Sequence, residues 1–427
     1  MIAERAGETV REPVLAERLP NGMRIIVRAN PSAPVVAMTL LVSAGSRHEP
    51  AEANGITALL ARSLLKGTRT RSAIDIAQAA EDAGGGVESA ADQEYSELRV
   101  HGLSRHWRPL LSLLHDLATN PRLAADEVER EREILLAQIH ALEDQSFAVA
   151  NRLLGRALYG THPCGTPTTG EVATVSRLAS AALMGHFEAS YAPDRMILAV
   201  SGQVRGSDVF GEAARVFALL RPGPVAPPLA PPPTRPSTTR VAAGRPTQQA
   251  QVLLGLFAPP IGHLDHMAVK LLSSVLGAGM SSRLFRALRD EAGLAYAVGS
   301  VYPTRRETSR LVIHIGTARA NVDAAEAGIR RELDRLRDEP VPADELARAK
   351  AALTGAFALD LRTNARQAFS RGFFELMGVG HAWGDRFGTL LEAVTSADVT
   401  RVARCYLREP TVVIVGPDPS TVSGAAG

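Results

Sequence analysis

Residues 221–240, RPGPVAPPLAPPPTRPSTTR, constrain this chain more than any other stretch. Proline at that density enters neither a helix interior nor a central strand, and favours an extended, semi-rigid connection. The chain therefore divides into residues 1–220 and 241–427 on either side of a linker 221–240. Its 427 residues also exceed the ~250 to 300 at which single cores stop growing. The two parts repeat one another. Residues 124–130 read AADEVER and residues 342–348 read PADELAR, so Asp126 matches Asp344 and Arg130 matches Arg348, each opening a long helix behind a proline-containing break. PVVAMTLLVSAG followed by a helix from Asn54 is answered by QAQVLLGLFAPP followed by HLDHMAVKLLSSVL. Strand runs followed by paired helices, present twice, predict an α+β fold: two similar domains from an internal duplication, each a mainly antiparallel sheet covered by helices.

Local signals fill in the first half. Asn21-Gly22 in LPNGMRIIV reads as a tight turn between two strands, and PVVAMTLLV as a buried strand. Ile56, Leu59, Leu60 and Leu64 share one face of a helix running from Asn54 to Lys66, which Gly67 closes. A second amphipathic helix from about Ser72 to Ala83 stops at Gly84-Gly85-Gly86. GVESAADQEYSELRVHGL alternates as a strand pair, and a long helical region from Trp107 to about Leu142 is broken at Asn120-Pro121.

Several function classes are disfavoured by composition. A net charge of +2 and 4% aromatic residues, not interleaved with a basic stripe, argue against a nucleic-acid partner. Cys164 and Cys405 are far apart and outside any C-x-x-C pattern, which argues against a disulfide framework. No apolar run approaches the ~20 residues needed to span a bilayer. The polar start, MIAERAGETVREP, shows no export signal; the compartment stays open between cytoplasm and periplasm.

The richest stretch is Gly277–Tyr302, GAGMSSRLFRALRDEAGLAYAVGSVY. Ser281 or Ser282 can cap a helix carrying Leu284, Phe285 and Leu288, Gly293 suits a left-handed stop, and a strand with Tyr296, Val298, Val301 and Tyr302 follows. Arg289, in the last turn of that helix, and Tyr296, at the start of the strand, are seven residues apart, so the reversal can present both at one rim. On residues alone the alternative is that Arg289 complements a helix C-terminus and Tyr296 packs a half-buried strand. SSRLF and LRDEAGLAY resemble the C-terminal-half signature of the pitrilysin and insulinase type zinc peptidases, particularly the short-chain group that includes mitochondrial processing peptidase. The resemblance implies two similar α+β domains facing each other, and roles for Arg289 and Tyr296 in contacting substrate near the scissile bond.

That family carries H-x-x-E-H on a helix, two histidines sharing a face to hold zinc and a glutamate acting as general base, with a downstream carboxylate completing the site. The helix resembling it here is NGITALLARSLLKGT, with Ala58 at the first histidine position, Ala61 at the glutamate position and Arg62 at the second histidine position. By the family's spacing the remaining ligand falls at Gln138 in EREILLAQI. Alanine has no lone pair to give, and a permanently charged guanidinium repels a dication. No metal is expected in this chain; zinc is expected in a partner. Substitute ligands are poor: His263 with His266, and His48 with Glu49 and Glu52, lie in loops or helix starts without further ligands. His162 in HPCGTPTTG reads as structural, and Cys164 has no positioned histidine. Ser281 and Ser282 lack a G-x-S-x-G elbow, and GAGMSS lacks the GK[ST] of a phosphate loop.

The resemblance thus implies the non-catalytic subunit of a heterodimeric zinc metalloendopeptidase. It would lend Arg289 and Tyr296 to the zinc site of a homologous partner that acts on peptides or unfolded polypeptides. The alternative is a structural or peptide-binding subunit with no part in proteolysis.

Overall fold

Eleven strands form two sheets in the computed structural model, which describes residues 14–223, 233 and 240–417. The linker expected over 221–240 lies, apart from 221–223, 233 and 240, outside the described residues. The first sheet contains β1 (Leu15–Arg18), β2 (Arg24–Ala29), β3 (Val35–Val42), β4 (Gly86–Ala91), β5 (Ser96–Leu103) and β6 (Met196–Gly202), in the order β1-β2-β6-β3-β5-β4. The second contains β7 (Arg240–Gly244), β8 (Gln249–Ala258), β9 (Ala297–Val301), β10 (Ser309–Ala318) and β11 (Thr411–Gly416), in the order β7-β11-β8-β10-β9. With β1 set aside the two sheets share one topology. β2 pairs β6 in parallel as β7 pairs β11, and the remaining pairings of both sheets are antiparallel. The duplication read from the repeated heptapeptides is therefore a duplication of strand order and direction as well.

The local signals translate into these elements with small shifts at the ends. Gly22 sits at φ 94° in the turn between β1 and β2. The helix Ile56–Leu64 buries Ile56, Leu59, Leu60 and Leu64. Ser72 caps the helix Ala73–Asp82 through a capping box with Asp75. The break at Asn120-Pro121 separates the helices Trp107–Thr119 and Ala125–Glu143, and the matching helix of the second half is Ala343–Asp360.

Central strands β3, β6, β8 and β11 are apolar almost without alternation, as strands are when both faces are covered. The second cover crosses between halves. The first-half helix Ser146–Tyr159 packs on β8 and β11, and the second-half helix Asn364–Leu376 packs on β3 and β6. Since β8 and β11 occupy the places of β3 and β6, the exchange follows the same internal symmetry as the sheets. On one side Val149, Leu154 and Leu158 meet Leu253, Val312, Val413 and Val415; on the other, Ile26, Leu41, Ile197 and Ala199 join the core of the second half. Polar contacts fix the register: Asn364 Nδ2 donates to the Val35 carbonyl at 3.2 Å, Asn30 Nδ2 donates to Asn364 Oδ1 at 2.7 Å, and an Arg310 guanidinium N–H donates to Asn151 Oδ1 at 3.0 Å.

Candidate functional site

The helix resembling the zinc-binding one begins at a left-handed glycine, Gly55, φ 98°, whose hypothetical Cβ would meet the Thr169 carbonyl at 2.8 Å. Its free N–H groups are taken by Glu49, 7% exposed. One Glu49 carboxylate oxygen accepts from the Gly55 N–H and the Asn54 amide, and the other from the Thr57 N–H, all at 2.8 Å. Glu49 is therefore a helix cap, the carboxylate equivalent of the usual capping side chain. Ala58, Ala61 and Arg62 lie on the helix so fixed, which packs against Ala125–Glu143.

Between these helices sits an ion pair where a metal centre would need ligands. Arg62 Nε approaches Glu131 Oε2 at 2.8 Å and Lys66 Nζ approaches Glu131 Oε1 at 2.9 Å. The Glu131 side chain is 6% exposed, so two cations saturate a nearly buried carboxylate. Gln138 lies two turns further along the same helix and is exposed. Zinc does not fit this donor set: two alanines offer nothing, the guanidinium is cationic, and the nearest carboxylate already carries two positive partners. No group of three or more His, Cys, Asp or Glu able to hold a metal occurs among the described residues.

Arg289 lies in a π-helical stretch, Phe285–Glu291, rather than in the last turn of an α-helix. Neither expected serine caps that stretch: the Ser282 hydroxyl donates back to the Gly279 carbonyl at 2.7 Å. Leu284 and Leu288 are buried, the latter against Gly328, where any Cβ would come within 2.3 Å of it. Single π turns recur at functional sites. The chain reverses through Gly293 at φ 63° and enters β9, at the edge of the second sheet, one residue after Tyr296. The Tyr296 N–H is held by the Gly316 carbonyl at 2.9 Å, while the residue is 62% exposed. Arg289 is also exposed, with its guanidinium 4.8 Å from the Phe285 ring centroid. Among the described residues neither side chain has a hydrogen-bond or ion-pair partner, and no such contact joins them to Ala58, Ala61, Arg62 or Gln138.

The other candidates are engaged in the fold. His266 is buried and within 2.8 Å of the Tyr302 hydroxyl, and burial with Lys270 beyond it pushes its pKa down to about 3. His263 Nδ1 accepts from the Asp265 N–H at 3.1 Å. His48 Nδ1 accepts from the Gly45 N–H at 3.1 Å, and burial beside Arg47 pushes its pKa down to about 4. His162 Nδ1 caps a 3-10 turn by accepting from the Cys164 N–H. Burial pushes the Cys164 thiol up to about 11, which suits a packed sulfur rather than a nucleophile.

One cluster had no signal in the sequence. Arg47, 5% exposed, lies between Glu94 at 2.7 Å and Glu307 at 2.5 Å, and Arg305 meets Asp92 at 2.5 Å. These pairs tie loops of the first half to the loop after β9. Their charges are scattered along the chain in unremarkable polar segments, so only the folded arrangement brings them together.

Residues 24–172 match the family model for insulinase, peptidase family M16, and residues 178–353 match that for the peptidase M16 inactive domain. The chain is 28% identical over 398 residues to an uncharacterized zinc protease of Bacillus subtilis, covering 93% of this chain and 97% of that one. It is 30% identical over 415 residues to one of Streptomyces coelicolor, covering 93% and 88%. It is 31% identical over 417 residues to one of Mycobacterium tuberculosis, covering 94% and 93%. In fold it is similar to a peptidase M16 inactive domain from Pseudomonas fluorescens, with TM-score 0.88, 23% identity and coverage of 95% and 98%. A Helicobacter pylori protease is similar at TM-score 0.88, 19% identity and coverage of 94% and 98%.

Proposed function

We propose, from the premise that the chain belongs to peptidase family M16 and is an inactive member related to zinc proteases, that it serves as the zinc-free subunit of a two-chain peptidase. Zinc, held by a homologous partner carrying H-x-x-E-H, would supply the activated water and polarise the scissile carbonyl. This chain contributes Arg289 and Tyr296. A guanidinium and a phenol are both donors, and donors held in place where an oxyanion develops lower the barrier to peptide hydrolysis. The observation that carries the reading is that, among the described residues, neither side chain has a hydrogen-bond or ion-pair partner, Arg289 meeting only the Phe285 ring face. The structural alternative needs Tyr296 packed in a half-buried strand, and the residue is 62% exposed. Both flank β9, an edge strand with unpaired backbone groups on which an extended peptide can be held.

The test is reconstitution with the similar-sized H-x-x-E-H protein of the source organism, assayed on a quenched peptide with and without chelator. Chelator-sensitive cleavage that falls by ~10² to 10³ in kcat for Arg289→Ala, and strongly for Tyr296→Phe, is expected. Cleavage unchanged by either substitution, or a chain that recruits no such protein, would leave a structural or peptide-holding role in its place.

A further inference from the structure

Where the two halves meet there is a cleft of about 420 Å³, lined by residues of the β4–β5 turn, the loop after β9 and the helices of the second half. That volume falls within the roughly 300–1,000 Å³ of small-molecule sites. Arg289 and Tyr296 take no part in it. Its wall is aromatic: Phe357 stacks on Phe387 with ring centroids 4.3 Å apart, Phe369 stacks on Phe373 at 5.5 Å, and Tyr95 meets Phe369 edge-on at 5.8 Å. Trp383, 8% exposed, is part of the same wall.

Five charged side chains line the cleft, and four cancel. Arg305 pairs with Asp92 at 2.5 Å and Arg366 with Asp360 at 2.7 Å. The fifth is Lys270, one turn beyond His266 on the helix His266–Gly277. Among the described residues its ammonium has no hydrogen-bond acceptor and no carboxylate within ion-pair distance; it faces the Tyr302 ring, 5.8 Å from the centroid. The Tyr302 hydroxyl is bonded instead to the Pro259 carbonyl and His266. Burial without a counter-charge holds the amine below its ordinary pKa. Lys270 is half-buried, and a partly desolvated cation without a counter-charge gains from an anion that brings its own apolar cover.

We propose that this cleft is a binding site for a small carboxylate with an aromatic body, the carboxylate on Lys270 and the ring against the Phe357, Phe369 and Trp383 wall. Such a group is offered equally by a free aryl acid and by the C-terminal residue of a peptide. Aromatic faces and edges hold the ring, and a charge-assisted hydrogen bond to Lys270 discriminates acid from neutral analogue by about tenfold or more.

The chain contains two tryptophans, so Trp107→Phe in the full-length protein leaves Trp383 as the reporter. Its fluorescence is followed while titrating N-acetyl-L-phenylalanine, then N-acetyl-L-phenylalaninamide. The acid is expected to perturb Trp383 saturably and at least tenfold more tightly than the amide. Lys270→Met should erase that preference and Lys270→Arg should keep it, each variant first shown to melt cooperatively. Equal binding of acid and amide, a preference that survives Lys270→Met, or no response at millimolar acid would overturn the proposal. A tetraalanine peptide ending in phenylalanine separates the sources: binding like the acid identifies a peptide C-terminus, and exclusion identifies a free acid, both with the same lysine dependence. The result is independent of Arg289→Ala and Tyr296→Phe, so it stands or falls apart from the peptidase reading.

Discussion

Arg62, at the position the family resemblance gives to a zinc-binding histidine, does structural work. Its guanidinium shares the nearly buried Glu131 carboxylate with Lys66, so the helix pair is joined by charge where its relatives are named for zinc. Breaking such a pair from one side leaves an undercompensated carboxylate. Arg62→Met is expected to destabilise the protein by about 1–3 kcal/mol, and adding Glu131→Gln should restore part of that loss. A double-mutant cycle in urea checks it; no coupling between the two sites would mean that the ion pair carries no stability. At this scale the sequence was informative about identity and silent about partners. At the positions the family resemblance gives to the zinc site, two alanines and an arginine offer a metal no donor, and a glutamine stands where a carboxylate is expected. That Arg62 finds Glu131, or Arg47 finds Glu94 and Glu307, depends on segments brought together by the fold.

Among the elements, the exchanged helices are the part that periodicity does not reveal. SFAVANRLLGRALY and NARQAFSRGFFEL fold as helices, and nothing local says that each covers the other half's sheet. The near-continuous apolar runs of β3, β6, β8 and β11 do say that a second cover exists. Glycines test the closeness of the contact. A Cβ at Gly255 in β8 would lie 2.7 Å from the Leu154 and Leu158 methyls of the helix Ser146–Tyr159. A Cβ at Gly372, on the helix Asn364–Leu376, would meet Leu41 at 3.1 Å and Ala199 at 3.3 Å. Gly255→Ala is therefore expected to cost about 1–3 kcal/mol through overpacking. Gly372→Ala should be nearly neutral, since the helix gain of about 1 kcal/mol offsets a milder contact. Urea midpoints of the two variants measure the difference, and equal midpoints would contradict the asymmetry. The π turn at Phe285–Glu291 carries no local signal either; the same Leu284 and Leu288 spacing, both buried, fits an α-helix as well.

For the molecule as a whole, neutral histidines shielded from water contribute to the response to acid. Burial holds His48 and His186 at about 4 and His266 at about 3, below the ordinary 6.5. The unfolded chain takes up these protons first. Their contribution to stability is therefore complete above about pH 6.5 and is lost as the pH falls from there towards 4. Within that window each histidine costs about 1.4 kcal/mol per pH unit. Thermal melts between pH 8 and 4.5 should show a plateau followed by a steep fall beginning near pH 6.5; a flat profile down to pH 5 would count against three neutral, shielded rings. The duplicated fold was legible because it rests on repeated heptapeptides and repeated strand-helix order. The cleft around Lys270 was not, because its wall is assembled from residues between Asp92 and Phe387 that no short motif connects.

The exchange of helices also sets a timetable for synthesis. When β6 leaves the ribosome the first sheet has all its strands, but the face bearing Ile26, Leu41, Ile197 and Ala199 has no cover until the segment ending at Leu376 has been made. At 5–20 residues per second that is a delay of roughly 9 to 35 seconds. A nascent chain of this kind carries a finished, sticky surface through more than a third of its translation, and is a natural client for whatever holds unfinished chains apart.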